Sequence, residues 1–171
     1  VERYALLAAD AQLQGTVPDS SVLVLTLTSD LIARTCTLQF ITAPTAADIV
    51  SLVKQTAERF GNSLPSLSSE GLCLSQQHST FETVDIYGYN AATGLPRAQA
   101  VAFKRGSVFV IESKPSKAGS SDPSAQQHLA ALRETLLKLQ KRAVPLGERV
   151  GDGFGRFQVD LNIHGPKGEM A

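Results

Sequence analysis

Residues 22–42 read VLVLTLTSDLIARTCTLQFIT, and the interpretation of this stretch decides the fold. Val22, Val24, Thr26 and Thr28 alternate with Leu23, Leu25 and Leu27, the two-residue period of a strand. The run is far shorter than the ~20 residues of a membrane-crossing helix. Residues 36–42 form a second β-rich run, and Ser29-Asp30 opens the connection between the two. The pair predicts an antiparallel hairpin.

Downstream, Thr45 caps a helix and Asp48 stands three residues on, as in a capping box with Asp in place of Glu. Ile49, Val53, Ala57 and Phe60, with Leu52 on the flank, form its apolar stripe, and Gly61-Asn62 ends it. Residues 71–76 and 81–89 predict strands, and 90–96 (NAATGLP) is a turn by composition. Residues 98–104 and 107–113 flank Arg105-Gly106, a two-residue turn that predicts a second hairpin. Asp122-Pro123 then starts a helix. Leu129, Leu132, Leu136 and Leu139 share one face of it, and Lys138, Lys141 and Arg142 bring positive charge to its C-terminal end. Upstream, residues 2–13 have a weaker helical spacing.

This order is α+β, an antiparallel β-sheet flanked by helices, with a C-terminal extension. The chain divides into an N-terminal segment 1–20, a domain 21–142, and an extension or docking arm 143–171. Ile49, Val53, Phe60, Leu129, Leu132, Leu136 and Leu139 are the expected core. Residues 147–155 are glycine-rich and read as a linker or hinge. Gly151, Gly153 and Gly155 follow no strand and open no helix, so they do not meet the context of a phosphate-binding loop. Beyond them Phe157, Val159, Leu161 and Ile163 alternate with polar residues. This segment either closes the domain's own sheet or pairs with a neighbouring subunit. Its apolar character and glycine-linked reach favour the neighbour, with Phe154, Arg149 and Arg156 at the contact.

At 171 residues with 43% hydrophobic and 19% charged side chains, the chain suits one domain with an ordinary core. Sixteen basic residues balance sixteen acidic ones, a neutrality that argues against a general nucleic-acid binder. The balance is uneven along the chain: net −5 over residues 1–96, +6 over 97–149 and −1 over 150–171. The basic stretch predicts a face for a partner, with Lys104, Arg105, Lys138, Lys141 and Arg142 as candidates. Tyr87, Tyr89, Phe103 and Phe109 stand at strand spacing without interleaved cations and read as core or sheet surface.

No catalytic constellation is evident. His78, His128 and His164 lack carboxylates at metal-site spacing, and neither cysteine has a nucleophile's local context. Cys36 and Cys73 read as buried thiols, with a single disulfide left open. No cofactor and no metal are expected. The chain starts at Val1 with no charged-then-apolar leader, so either a targeting peptide has been removed or the sequence begins inside a longer protein.

Residues 22–42, the helix over 45–61, the strings from 80 to 113 (TFETVDIYGYNAATGLPRAQAVAFKRGSVFVIES) and the helix over 122–140 follow one another as in the PsbP family. The chain resembles these extrinsic proteins of the photosynthetic oxygen-evolving complex over residues 20–141. The resemblance implies a non-catalytic accessory subunit in the chloroplast thylakoid lumen. Such a subunit would dock by charge on the membrane-protein subunits of a photosystem, with no nucleic acid, no membrane span and no small-molecule substrate. The family's metal-associated histidine has no match in residues 98–104, so no metal site follows. The alternative is an intracellular protein-binding factor of the same fold, of the Ran-binding import type, or a subunit of another organellar complex. An enzyme with a site assembled across loops is a third possibility.

Overall fold

The computed structural model describes residues 21–35, 37–61, 67–90, 94–114 and 123–161. The helix over 2–13, Cys36, His164 and Ile163 lie outside them. Strand β1 (Val22–Leu27) is followed by helix α1 (Ala46–Arg59) and strand β2 (Leu72–Leu74). Four short strands come next: β3 (Thr83–Ile86), β4 (Tyr89–Asn90), β5 (Leu95–Pro96) and β6 (Ala100–Phe103). Strand β7 (Val108–Ser113), helix α2 (Pro123–Lys141) and strand β8 (Phe157–Val159) complete the order.

The main sheet has the order β2-β7-β1-β8, and every pairing in it is antiparallel. Without the four-strand insertion the order is strand-helix-strand-strand-helix-strand, and its last strand lies beside its first. That is the split β-α-β arrangement of ferredoxin-like domains. The α+β class, an antiparallel sheet with two helices, is therefore present.

One face of the sheet carries Leu23, Leu25, Leu27, Phe109, Ile111, Phe157 and Val159 into the core shared with the helices. The helices supply Ile49, Val53 and Ala57 from α1, and Leu129, Leu132, Leu136 and Leu139 from α2. Burial of side chains this size stabilises by ~1.5–3 kcal/mol each, which is why the leucine face of α2 is committed to the core. The expected capping box is present: Asp48 N donates to Thr45 Oγ1 at 3.2 Å, and Thr45 N donates to the Asp48 carboxylate at 2.9 Å. Phe60 does not join the core. It is the residue after the last helical one and is 44% exposed, because the helical stripe has ended there.

Both expected hairpins are replaced. Residues 36–42 form no strand beside β1, whose two edges are taken by β7 and β8. The segment instead turns back on itself through an isolated bridge between Arg34 and Phe40. At Arg105-Gly106 the turn exists, with Gly106 at φ +89° and Ser107 N donating to Lys104 O at 3.1 Å. Its strands part, since β6 pairs with β3 while β7 lies between β2 and β1. The β3–β6 and β4–β5 ladders follow one another along one ribbon, joined where Arg97 N donates to Gly88 O at 2.7 Å.

The segment read as reaching a neighbouring subunit pairs with β1 of its own chain. Leu25 faces Val159, Thr26 faces Gln158 and Leu27 faces Phe157. Two large apolar side chains on alternate positions match the core face of an open strand edge, and that outweighs the ordering cost of the preceding loop.

Candidate functional site

The loop over 146–155 is closed at its base. Leu146 N donates to Gly155 O at 2.8 Å, and Gly155 N donates to Asp30 O at 2.8 Å. Two glycines make that closure possible. At Gly155 (φ +80°) a Cβ would sit 1.8 Å from Leu146 O, and at Gly147 (φ +77°) one would sit 2.3 Å from Ile32 O. Glycine is the residue that permits both a left-handed backbone and so close an approach. The expectation of a free linker is thus corrected to a compact loop with joined ends. A single 3-10 turn, Val150–Asp152, forms its far side.

Six of the chain's nine arginines meet this loop or its base. Arg34 Nε pairs with Glu148 Oε2 at 3.0 Å, while its guanidinium lies 3.8 Å from the centroid of the Phe40 ring. Arg97 pairs with Asp152 at 2.5 Å. Arg149 donates to Ala98 O at 2.8 Å, and Arg59 reaches Gly147 O at 3.4 Å. Arg105 and Arg156 flank the end of β1: Arg105 N donates to Asp30 Oδ1 at 2.7 Å and Arg156 N donates to Ser29 Oγ at 2.8 Å. Both side chains are exposed. The guanidinium groups of Arg34, Arg59 and Arg97 reach the loop, Arg149 belongs to it, and Arg105 and Arg156 join its base through the backbone. Against them stand the carboxylates of Glu148, Asp152 and Asp30, so positive charge is in excess. Guanidinium groups on a fixed backbone suit the bidentate recognition of phosphate or carboxylate oxygens.

Of the residues singled out as a partner face, Arg105, Arg149, Arg156 and Phe154 come together here. Phe154 packs on the small cluster of Ile32, Ala100 and Ala102. Lys104 is held by Glu82 at 3.0 Å, and Lys138 by Glu134 one helical turn away at 2.7 Å. Lys138, Lys141 and Arg142 stand on the last turn of α2 and just beyond it. Phe157 belongs to the core. Arg34, Arg59 and Arg97 were missed: two lie in the acidic first half, and their approach to the loop is purely tertiary. The detectable signal was the interleaving of Arg149 and Arg156 with Gly147, Gly151, Gly153 and Gly155.

The other chemical groups do not assemble a reactive site. His78 Nδ1 lies 3.1 Å from Ser75 Oγ and 3.3 Å from Glu112 Oε1. Both contacts fall on one ring nitrogen, so no relay from acid through imidazole to hydroxyl exists. Burial, and then the charge of Glu112, push the Cys73 thiol above its ordinary value, with Lys114 opposing. That is the reverse of an activated thiolate. Among the described residues no three His, Cys, Asp or Glu side chains are placed to hold a metal ion. Among the same residues no helix is long and apolar enough to cross a membrane.

Fold and site together define a ferredoxin-like α+β domain that carries an arginine-lined glycine loop. No family model matches the chain, and no curated protein does. Among solved structures it is similar to a Cas6 product complex, at a TM-score of 0.51 and 15% identity over 86% of this chain and 54% of that one. It is also similar to a Cas6 mutant, at 0.48 and 15% over 85% and 55%. The chain thus spans about half the length of the Cas6 chains it matches, and the likeness is one of fold.

These findings overturn the PsbP resemblance. It rested on the order of four stretches, of which the hairpin over 22–42 and the 98–113 part of the meander do not form, and no family model supports the pattern. The photosystem-docking role, and the photosynthetic and chloroplast assignments drawn with it, are withdrawn together with the Ran-binding and organellar-complex alternatives. The non-catalytic assignment came with that resemblance and is withdrawn with it. The exclusion of nucleic acid is withdrawn too: total charge is neutral, but the charge at this loop is not.

Proposed function

We propose that the chain is an RNA-binding domain that holds the phosphate backbone on the 146–155 loop. The observation that carries this reading is the gathering of Arg34, Arg59, Arg97, Arg105, Arg149 and Arg156 around one closed glycine loop. Phosphate contacts from arginine and exposed backbone supply most sequence-independent affinity for nucleic acid, through release of condensed counterions. The shared fold makes RNA the polyanion to favour, because Cas6 proteins process CRISPR RNA.

The test is fluorescence anisotropy of a labelled 15-mer of uridine at increasing salt. Affinity is expected to fall steeply with salt. Replacing Arg105, Arg149 and Arg156 together by Gln should flatten the slope of log K against log salt by about 2, at roughly 0.7 per lost phosphate contact. Denaturing gels of the same samples read whether the RNA is cut. Binding that ignores both salt and the three substitutions overturns the reading.

A further inference from the structure

We infer that Glu148 and Asp152 are internal stand-ins for phosphate: they occupy Arg34 and Arg97 in the free protein, and RNA exchanges them for two of its own phosphates. The inference rests on the RNA reading and adds to it the regulation of that site.

Both carboxylates belong to the 146–155 loop, and both guanidinium groups come from outside it. Arg34 arrives from the segment after β1 and Arg97 from the β3–β6 ribbon. Each arginine spends one nitrogen on its carboxylate, Nε of Arg34 and one terminal nitrogen of Arg97, so each carboxylate contact is single rather than forked. The pairs are partly in water, at 28% and 40% exposure for Arg34 and Glu148 and 39% and 43% for Arg97 and Asp152. Pairs this exposed contribute little, and an incoming phosphate can displace the acid.

The Arg34 guanidinium remains placed when the acid leaves. Arg34 is also held by the Phe40 ring and by a 2.8 Å bond from its terminal nitrogen to Leu38 O. For Arg97 the fixed part is the main chain, whose N–H donates to Gly88 O at 2.7 Å, while its guanidinium is held by Asp152. One cation fixed by other contacts, one carried on a fixed backbone, and a displaceable carboxylate over each make a site for two anionic groups, with a threshold against weak polyanions.

The test is a pair of double-mutant cycles read by 15-mer uridine binding. Glu148→Gln and Asp152→Asn should each tighten binding about two- to fivefold, the range expected for releasing an exposed ion pair. The gain from Glu148→Gln should vanish in an Arg34→Met background, and that from Asp152→Asn in an Arg97→Met background. A gain that persists in the Met backgrounds is a general field effect and overturns the inference. So does a loss of affinity, which would mean that the acids hold the loop in its binding shape. A second arm titrates inorganic tripolyphosphate while following the guanidinium NMR signal of Arg34. The signal should move at lower concentration in Glu148→Gln than in the parent chain, and equal midpoints overturn the inference. Tripolyphosphate exchange without uridine binding removes the RNA reading, overturns the exchange by RNA, and leaves only displacement of the two acids by a polyphosphate. Uridine binding indifferent to both acids overturns the inference and leaves the RNA reading.

Discussion

At the β8 edge of the sheet Gln140 reaches from α2 to accept the outward N–H of Val159 at 2.8 Å, whereas the outward groups of Leu74 on β2 have no such cover among the described residues. At the same β8 edge Arg133 pairs with Asp160 at 2.8 Å, both largely buried at 17% and 14% exposure, and also donates to Val22 O. Asp160 itself, at φ +50°, accepts Val24 N at 3.1 Å and turns the chain out of the sheet. Among the described residues the outward groups of β2 have the bond from Leu72 N to Ser69 O at 3.1 Å. Beside it a groove of about 470 Å³ runs past Cys73, Phe81 and Lys114 to the first turn of α1. The difference shows two ways of managing an edge. One is sealed by polar side chains from the helix just before it in sequence, and the other is protected chiefly by being three residues long.

The sharpest way to break this comparison is to remove the sealed edge. Truncation of residues 156–171 strips the core of Phe157 and Val159 and leaves β1 unpaired on one side. It should cost more than about 4 kcal/mol in urea denaturation, from two buried apolar side chains and the ladder bonds. A melting temperature unchanged by the truncation would restore the docking-arm reading. Next, Arg133→Met isolates Asp160 and should cost about 2–3 kcal/mol, while Lys114→Met beside the open edge should move stability by less than about 0.5 kcal/mol. Equal effects would erase the distinction between the edges. Gln140→Ala should cost about 1 kcal/mol, the loss of one bond to a part-buried N–H.

The smallest effect is chemical. Because burial, and then Glu112, raise the Cys73 thiol above its ordinary value in the folded chain, its thiolate fraction at pH 8 is below that of a free cysteine. Alkylation of Cys73 by iodoacetamide should be slow at pH 8, speed up as pH rises, and be faster in Glu112→Gln. The linked stability is present below the unfolded thiol's pKa and falls as pH climbs beyond it, since the unfolded chain loses that proton first. Alkylation as fast as a free thiol's would place Cys73 outside the part-buried position described.

The two helices were legible in advance because their signals are local. Thr45 with Asp48, and the spacing of Leu129, Leu132, Leu136 and Leu139, depend on residues at most a turn apart. Several strands were legible for the same reason, since alternation over Val22–Leu27 or Val108–Ser113 needs no partner to be seen. The run read as a strand over 36–42 is not one, however, and Leu95–Pro96, read as turn, is a strand. Partners were not legible. Period-two alternation says that a segment is a strand and leaves open which edge it meets, so adjacent strands were paired into hairpins that do not exist. The candidate site was half legible: Arg105, Arg149 and Arg156 stood out in a basic stretch, while Arg34 and Arg59 were hidden in an acidic one.

The sequence by itself determined the α+β class, the Thr45 cap of α1, the leucine face of α2 and the glycine of the Arg105-Gly106 turn. These follow from backbone sterics and from burial of apolar faces, which act over a few residues. Tertiary structure alone decided that β8 lies beside β1, that β7 lies between β2 and β1, and that six arginines surround one loop. Those outcomes come from contacts between residues such as Leu27 and Phe157, or Arg34 and Glu148, that are more than a hundred positions apart. Such contacts form only where the whole core brings their strands together, and no local pattern encodes that competition among edges.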